Sequence, residues 1–203
     1  MGRGLVKLNL GCGPNGIEGW INYDWGVLPL LSKMRWLRNL LLRISWLPES
    51  YNVDWPRLEL VDLRKGLPRV DASVDFIYCS HVLEHLEEWE AVELLRECRR
   101  VLRPGGVLRL VVPDLLKMVK NYYGADEFCR EFYGFDKDRR TWRRRFIRGH
   151  EWMYDKNSLG RRLRDTGFVK VREVAWQKGL VPDLESLDLS IHKSLSLYYE
   201  SVA

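Results

Sequence analysis

A chain of 203 residues is long enough for one domain with a sizeable core, and 46% hydrophobic and 30% charged residues are ordinary for a globular protein. The formal net charge of +5 permits an anionic partner without requiring one, and nucleic acid is not an expected partner. No run of about 18 uncharged apolar residues occurs, so the sequence predicts no membrane-spanning helix, and the first residues lack a signal-peptide core. The four cysteines are scattered, which favours reduced thiols and a cytoplasmic location.

The predicted elements alternate strands with helices. Short apolar runs, several of which end at a turn or a polar residue, predict seven strands: Leu5–Leu10, Trp20–Tyr23, Leu58–Val61, Val74–Cys79, Val107–Val112, Phe168–Ala175 and Leu195–Val202. Helical spacing predicts amphipathic helices over Glu87–Leu102, which Arg103–Gly106 ends, and over Asn157–Thr166, which Gly167 closes. The alternation predicts an α/β fold with a doubly wound, mostly parallel sheet and helices on both faces.

Polar residues follow the predicted strands at the points where ligands bind in such sheets. Asp24 and Asp62 end the second and third strands, and Ser80 and His81 follow the fourth. The first strand runs into Gly-Cys-Gly at residues 11–13, where the missing Cβ atoms let a ligand approach the backbone closely.

In order and spacing, LNLGCG, VDFIYCSHVLEH and VLRPGG resemble the class I S-adenosylmethionine-dependent methyltransferases, specifically a type 11-like group. The resemblance covers about residues 5–113 and implies a Rossmann-like methyltransferase fold with S-adenosylmethionine as cofactor. It implies that the glycines pass under the methionine part, Asp24 holds the ribose, Asp62 and Leu63 edge the adenine, and Ser80 and His81 line the methyl end. The cofactor-binding residues expected on this basis are Asn9, Gly11, Cys12, Gly13, Asp24, Asp62, Leu63, Ser80 and His81.

The sequence departs from the family pattern around the glycine loop. Asn9 stands where the family usually has an acidic residue, and Asn15 stands where a third glycine is common. Only 13 positions separate Gly11 from Asp24, so the first helix of the fold must be very short.

His81-x-x-Glu84-His85 matches one metal-binding pattern and is similar to a second. On one helix His81 and His85 would share a face, as in inverted zinc proteases, but here the motif follows a strand directly. Some RNA-end and quinone methyltransferases bind magnesium through Glu-x-x-Glu-His, and a metal-dependent enzyme of that kind stays an alternative. Because His81 replaces the first Glu, and magnesium prefers oxygen, we expect no metal here. Glu84 and His85 are expected to tie the helix start to a neighbouring loop.

The expected reaction is O-methylation of a hydroxyl on a small-molecule or sugar-containing acceptor, including an anionic one. The resembled subgroup leans towards glycans, an arginine-rich segment spans Arg139–Arg148, and aromatic rings suited to a sugar occur at Trp142, Phe146, Trp152 and Tyr154. His81 is the first choice for the catalytic base and His150 the second. The alternative is a non-catalytic regulatory or scaffold protein that binds S-adenosylmethionine.

We expect one methyltransferase domain over residues 1–203, with insertions at about 26–52 and 115–149 that cover the active site. Residues 28–47 carry a helical apolar stripe interrupted by basic residues. That pattern is typical of core packing, of a homodimer contact or of contact with a membrane surface.

Overall fold

The computed structural model describes residues 4–47, 52–133 and 149–203. Its strands are β1 (Lys7–Leu10), β2 (Ile21–Asp24), β3 (Glu59–Leu60), β4 (Val74–Ser80), β5 (Leu102–Pro113), β6 (Val169–Glu173) and β7 (Ser196–Val202). Its α-helices are α1 (Val27–Lys33), α2 (Arg35–Arg43), α3 (Glu88–Val101), α4 (Leu115–Lys120), α5 (Ala125–Phe132), α6 (Lys156–Asp165) and α7 (Leu184–Leu187).

The strands form one seven-stranded sheet in the order β3-β2-β1-β4-β5-β7-β6. All neighbours pair in parallel except β7, which is antiparallel to both β5 and β6. The predicted doubly wound, mostly parallel sheet is therefore confirmed. The strand order reverses between β1 and β4, so their carboxyl ends border the crevice where such sheets bind ligands.

One face of the sheet, which we call the apolar face, is covered by α3 and α6. Alternate strand residues such as Leu8, Ile77 and Leu108 are fully buried there and pack in one cluster with Leu95 of α3 and Leu163 of α6. Both helices begin at capping boxes, closed by Glu87 with Glu90 and by Asp155 with Ser158. Helical periodicity in the sequence predicted both helices because each must bury one apolar stripe.

The other face, which we call the polar face, carries much less helix. It is covered by the connection between β6 and β7, whose one α-helix, α7, has four residues. Arg109 of β5 is fully buried beneath that connection. Its guanidinium lies 2.5 Å from Asp188 and 3.2 Å from Glu200, and it donates to the carbonyl oxygen of Ala175. Buried ion pairs thus hold the connection on the sheet.

The connection from β1 to β2 contains only a 3₁₀ turn, Gly13–Asn15, which confirms the very short first helix expected from the spacing. Trp20 occupies part of the space on the polar face and packs with Tyr78 and Tyr198. Its indole nitrogen donates to Asp183 in the β6–β7 connection, at 2.8 Å. A side chain from each connection therefore closes this side of the sheet.

Residues 28–47 do not form the continuous helix that the apolar stripe suggests. The backbone leaves helical geometry at Met34 (φ −112°, ψ 59°), which separates α1 from α2. Leu31 and Leu47 are buried, whereas five other apolar side chains of this segment are exposed: Leu30, Trp36, Leu40, Ile44 and Trp46. The segment is thus partly core and partly an apolar surface.

The predicted helix breaker Arg103–Gly106 lies inside β5 rather than before it. Val74 pairs with Leu102 and Phe76 pairs with Val107, so the intervening residues bulge from the strand. Gly105 has φ +82°, which suits glycine at such a bulge.

All four cysteines are free thiols, and three of them are buried. Burial raises the pKa of Cys12 to about 12 and holds the pKa values of Cys79 and Cys98 above their usual range. Cys129 in α5 is exposed. Within the described ranges, no helix is long and apolar enough to span a membrane.

Candidate active site

The glycine loop after β1 is fixed over the neighbouring strand. The backbone N–H groups of Gly11 and Cys12 both donate to the carbonyl oxygen of Tyr23, at 2.8 and 3.1 Å. Gly11 has φ +67°, and a Cβ there would lie 2.2 Å from a methyl group of Val82, so only glycine fits. Gly13 also has positive φ, but a Cβ there would point into open space. The loop therefore presents bare backbone to the crevice.

Asp24 lies beside this loop, as the sequence predicted. Its Oδ2 accepts a hydrogen bond from the Gly13 N–H at 2.7 Å, and its Oδ1 accepts one from the Trp25 N–H at 2.6 Å. Burial raises the pKa of the carboxyl group against the effect of these two donors. Each oxygen retains a lone pair, so the carboxylate can still accept from two ribose hydroxyls.

Asn9 is not brought to the loop surface. It is 3% exposed, and its amide nitrogen donates to the side-chain oxygen of Asn22 on β2 at 3.1 Å. Asn22 in turn donates to the carbonyl oxygens of Ile17 and Arg57. The two amides connect strands and loops, so Asn9 supports the site from within the sheet. Its contact with the cofactor stays a prediction.

Asp62 ends the third strand region, but its carboxylate is already engaged. Both oxygens accept from the guanidinium of Arg64 at 2.7 Å, and this pairing lowers the pKa of Asp62. The Arg64 side chain is 36% exposed, so it can rotate away. Leu63, beside Asp62, is buried. Sequence reasoning missed Arg64, although a basic residue two positions after the acidic one was the available signal.

His81 is held in an unusual backbone conformation at the end of β4. Its φ is +53°, and its N–H donates to the carbonyl oxygen of Val111. Its Nδ1 lies 3.0 Å from Oε1 of Glu84, and its Nε2 lies 3.1 Å from the hydroxyl of Ser196. The ring stacks on His192 at 3.8 Å between centroids. A non-glycine residue in the left-handed region is uncommon, and several contacts fix it here.

The predicted motif at residues 81–85 is not one helix. Only Leu83–His85 form a 3₁₀ turn, and His81 precedes it in the left-handed conformation. His81 and His85 therefore do not share a helical face. Glu84 is fully buried, and its backbone carbonyl accepts from the N–H groups of Glu151 and Trp152. The turn is tied to a neighbouring loop, as expected from the sequence.

His150 comes next to this turn from a distant part of the chain. Its ring lies 5.1 Å from that of His85, and its Nδ1 bonds the carbonyl oxygen of Phe132 at 2.9 Å. Burial lowers the pKa of His150, which favours the neutral imidazole. We call His81, Glu84, His85 and His150 the histidine cluster.

The aromatic residues that the sequence offered for a sugar divide into three groups. Trp152 is 38% exposed, and the guanidinium of Arg162 lies 6.0 Å from its ring centre. Tyr154 is buried in the apolar core, and burial raises its pKa, so it offers no ring to a ligand and that expectation was wrong. Trp142, Phe146 and the arginine-rich segment Arg139–Arg148 lie outside the described residues.

Comparison with known proteins identifies the family. A methyltransferase-domain family model matches residues 32–173, which is about seven-tenths of the chain. This chain belongs to the class I S-adenosylmethionine-dependent methyltransferases. The match does not specify a type 11 subgroup. S-adenosylmethionine is the cofactor of the family. Doubly wound sheets bind ligands at the crevice where the strand order reverses, which here lies between β1 and β4.

Curated methyltransferases from mycobacteria match part of the domain. A Mycolicibacterium smegmatis protein named "probable S-adenosylmethionine-dependent methyltransferase" is 45% identical over 62 residues, which are 29% of this chain and 23% of that protein. A Mycobacterium tuberculosis protein with a similar name is 41% identical over 61 residues, or 30% of this chain and 22% of that protein. The chain thus spans less than a quarter of the length of these relatives.

Solved methyltransferase structures share the fold along the whole chain. A Mesorhizobium loti S-adenosylmethionine-dependent methyltransferase is 16% identical with a TM-score of 0.54, over 98% of this chain and 91% of that one. A Haloferax volcanii methyltransferase, solved in complex with the Trm112 methyltransferase activator, is 15% identical with a TM-score of 0.55, over 100% of this chain and 83% of that one. At these identities the likeness shows the fold alone.

A groove of about 360 Å³ lies elsewhere on the methyltransferase. It is lined by residues of α1 and α2 and by residues 54–58, and it contains no residue expected to bind cofactor. The assignment of the active site therefore rests on the loop, the strand ends and the histidine cluster.

Proposed function

We propose that this chain transfers a methyl group from S-adenosylmethionine to a hydroxyl group of a small-molecule or sugar-containing acceptor. The observation that carries the proposal is the pairing of His81 with the buried carboxylate of Glu84 at the carboxyl end of β4. That strand lies beside β1, from which the glycine loop leaves. A histidine oriented by a carboxylate is suited to remove a proton from a hydroxyl.

The cofactor-binding side needs few charged groups. The open backbone at Gly13 accommodates the methionine part, and Asp24 accepts from the ribose. Asp62 accepts from the adenine amino group if Arg64 shares or leaves the carboxylate. Ser80, half-buried at the end of β4, lies where the methionine end is expected.

The proposed reaction is a direct displacement. The acceptor oxygen forms a bond to the methyl carbon while the carbon–sulfur bond breaks, and the products are the methyl ether and S-adenosylhomocysteine. The hydroxyl proton passes to Nε2 of His81, in place of the hydrogen bond that Ser196 makes there. With a proton already on Nδ1, the resulting imidazolium is stabilised by Glu84. Alignment of the acceptor oxygen with the methyl–sulfur bond supplies the rest of the rate enhancement.

A sugar-containing acceptor is the finer part of the proposal. It is supported by the exposed ring of Trp152, two residues after His150, which can stack on a sugar ring. The guanidinium of Arg162 lies near this ring but already forms an ion pair with Glu88, so it does not argue for an anionic acceptor. His150 is the second candidate for the base because its ring lies beside that of His85 in the histidine cluster, and burial lowers its pKa.

Residues 28–47 are also proposed to contact a second copy of the chain or a membrane surface. The exposed side chains of Leu30, Trp36, Leu40 and Ile44 are the support for such a contact. Light scattering and sedimentation with anionic vesicles separate the two possibilities, and a monomer that ignores vesicles would contradict both.

Binding of S-adenosylhomocysteine tests the cofactor half. At 100 times its dissociation constant a ligand adds about 2.7 kcal/mol to stability, so the melting temperature of the wild-type protein should rise. Asp24→Ala should abolish this rise because the ribose hydroxyls lose their acceptor. Asp126→Ala, which removes an exposed carboxylate in α5, is the matched control and should keep it. An unchanged rise in Asp24→Ala would exclude the ribose assignment.

Turnover tests the catalytic half. With methyl-labelled S-adenosylmethionine and a panel of sugars and hydroxylated metabolites, His81→Ala should lower turnover by about 10² to 10⁴ while cofactor binding is retained. His150→Ala, assayed alongside, shows whether the second histidine replaces the first as base. Full turnover in both variants would mean that neither is the base. Binding of S-adenosylhomocysteine without transfer to any acceptor would favour the non-catalytic alternative, and methylation of an amine would refute the hydroxyl.

A further inference from the structure

Glu84 is a buried carboxylate without adequate internal compensation. It is 0% exposed, and among the described residues neither of its oxygens receives a hydrogen bond of good geometry, although His81 Nδ1 lies 3.0 Å from Oε1. Leaving a carboxylate buried in this way costs free energy unless a cation or several donors compensate it. Binding of a further positively charged group next to the carboxylate would therefore lower the free energy of the folded protein.

Two imidazoles next to Glu84 are arranged as metal ligands are. Nδ1 of His85 bonds the carbonyl oxygen of Gly149 at 2.9 Å, and Nδ1 of His150 bonds that of Phe132 at 2.9 Å. Because a carbonyl oxygen only accepts, Nδ1 of each ring carries a proton, and in the neutral imidazole Nε2 then keeps a lone pair. Backbone carbonyls that fix the tautomer in this way are a regular feature of histidine metal ligands.

The three side chains converge on one point. One ligand atom from each of Glu84, His85 and His150 can be chosen so that all three lie within 4.8 Å of one another. Ligands of one tetrahedral Zn²⁺ lie about 3.3 Å apart, given metal–ligand distances of about 2.0–2.1 Å, so small side-chain rotations would complete the set. Hydrogen bonds from the N–H groups of Glu151 and Trp152 to Glu84 hold the two segments together independently of any ion.

We propose that Glu84, His85 and His150 bind a divalent transition-metal ion, of which Zn²⁺ is the expected example. Two imidazole nitrogens and one carboxylate oxygen suit Zn²⁺ or Fe²⁺, whereas Mg²⁺ prefers oxygen ligands throughout. Three protein ligands leave at least one coordination position open. Both imidazoles are partly exposed, so an ion can enter from solvent.

This ligand set differs from the one that the motif at residues 81–85 suggested. His81 does not belong to it, because its Nδ1 faces Glu84 and its Nε2 faces Ser196. His150, 65 positions after His85, takes its place. The proposal also departs from the expectation that the protein has no metal site. It concerns binding of the ion and does not depend on methyl transfer; with the ion bound, both ring nitrogens of His150 are occupied and His81 is the one remaining candidate base of the two.

The wild-type protein provides the first test, with Zn²⁺ alone as the probe. After chelator treatment and dialysis, calorimetric titration should give one equivalent of bound Zn²⁺. The chain has four histidines, so their ring resonances can be followed by NMR in the same titration. Coordination through Nε2 should shift the rings of His85 and His150 most. Absence of stoichiometric binding, or shifts centred on His81 and His192 instead, would overturn the proposal.

Variants provide the second test. Glu84→Gln and His150→Ala should each weaken Zn²⁺ binding by at least about 100-fold, the upper end of the effect of losing a supporting contact to a ligand. Cys129→Ser, which removes the exposed thiol, and His192→Gln, which removes a histidine outside the set, should bind as the wild type does. Circular dichroism of each variant without zinc controls for folding. If either ligand variant fails to fold, the wild-type resonances decide.

Cobalt gives an independent readout of the ligand types. Co²⁺ bound by nitrogen and oxygen shows weak visible bands, whereas a thiolate ligand adds intense near-ultraviolet absorption. The expected spectrum has no thiolate band and is lost in His150→Ala. A thiolate band that disappears in Cys129→Ser would assign the ion to the surface cysteine and refute the site. Since no cofactor is present in any of these measurements, their failure is separate from failure of the proposed methyl transfer.

Discussion

The two faces of the central sheet achieve burial by different interactions. The apolar face packs aliphatic side chains against two helices with capping boxes, whereas the polar face buries the guanidinium of Arg109 under a connection with little helix. Apolar packing tolerates moderate changes of shape, because it depends on volume and area. A buried ion pair does not tolerate loss of one partner, because the remaining charge is left in a low dielectric. The comparison shows that one sheet can be covered by tolerant apolar packing on one face and by intolerant buried ion pairs on the other.

The largest effect should come from breaking the polar face. Arg109→Met leaves the buried carboxylate of Asp188 without its cationic partner and leaves Glu200 with only the more distant Arg172, so the free energy of unfolding should fall by about 3–5 kcal/mol. Urea denaturation followed by circular dichroism measures this loss. Arg172→Met is the control, because its side chain is 53% exposed and lies 3.6 Å from Glu200. Equal losses in the two variants would show that the buried guanidinium has no special role.

A somewhat smaller effect is expected on the apolar face. Leu95 of α3 is 1% exposed in the core cluster, and Leu95→Ala should lower the free energy of unfolding by about 3 kcal/mol through lost burial and a residual cavity. Leu180→Ala, at a residue 54% exposed, should change it by less than about 0.5 kcal/mol. Leu95→Met, which fills the space that Leu95→Ala leaves empty, should retain most of the wild-type free energy of unfolding. No simple substitution at Arg109 should do the same for the polar face. Failure of Leu95→Met to retain this free energy would contradict the difference between the faces.

The smallest effect is a pH dependence of stability, which is expected from His192 in the connection that covers the polar face. Burial and the neighbouring His81 lower the pKa of His192 from 6.5 to about 4 in the folded state. Below pH 6.5 the unfolded chain binds a proton that the folded chain does not, so this residue destabilises the protein as the pH falls from 6.5 towards 4. His192→Gln should remove that contribution, at most about 1 kcal/mol given the exposure of the ring. Melting temperatures between pH 7 and 4.5 measure it, and parallel curves for the two proteins would refute it.

Local patterns predicted much of this molecule. The strands, α3 and α6 follow from hydrophobic periodicity, and Asp24 meets the glycine loop because both lie at ends of neighbouring strands. The resemblance to a family supplied the roles that spacing alone could not. Conversely, the broken helix at Met34 was missed because a stripe of apolar residues does not report backbone geometry.

Long-range polar contacts were not predictable in the same way. Arg109 is a single basic residue within the apolar run of β5, and its partners lie 79 and 91 positions away. Nothing local to Arg109 indicates which carboxylates will reach it. His150 is similarly distant from Glu84, so the convergence of the two emerges only once the loop at residues 149–152 bonds the 3₁₀ turn. A charged residue inside a strand is the one signal that the sequence did offer.

The uneven exposure of the cysteines gives the protein a natural attachment point for a reporter. Maleimide dyes react with accessible thiolates, so of the four thiols only Cys129 should be labelled under native conditions, without any substitution. Cys129 lies in α5, three residues before Phe132, whose carbonyl oxygen accepts from His150. A dye at this position therefore reports on the part of the histidine cluster contributed by the late loop. Its fluorescence could follow ligand or ion binding in real time, with the native side chains of the site intact.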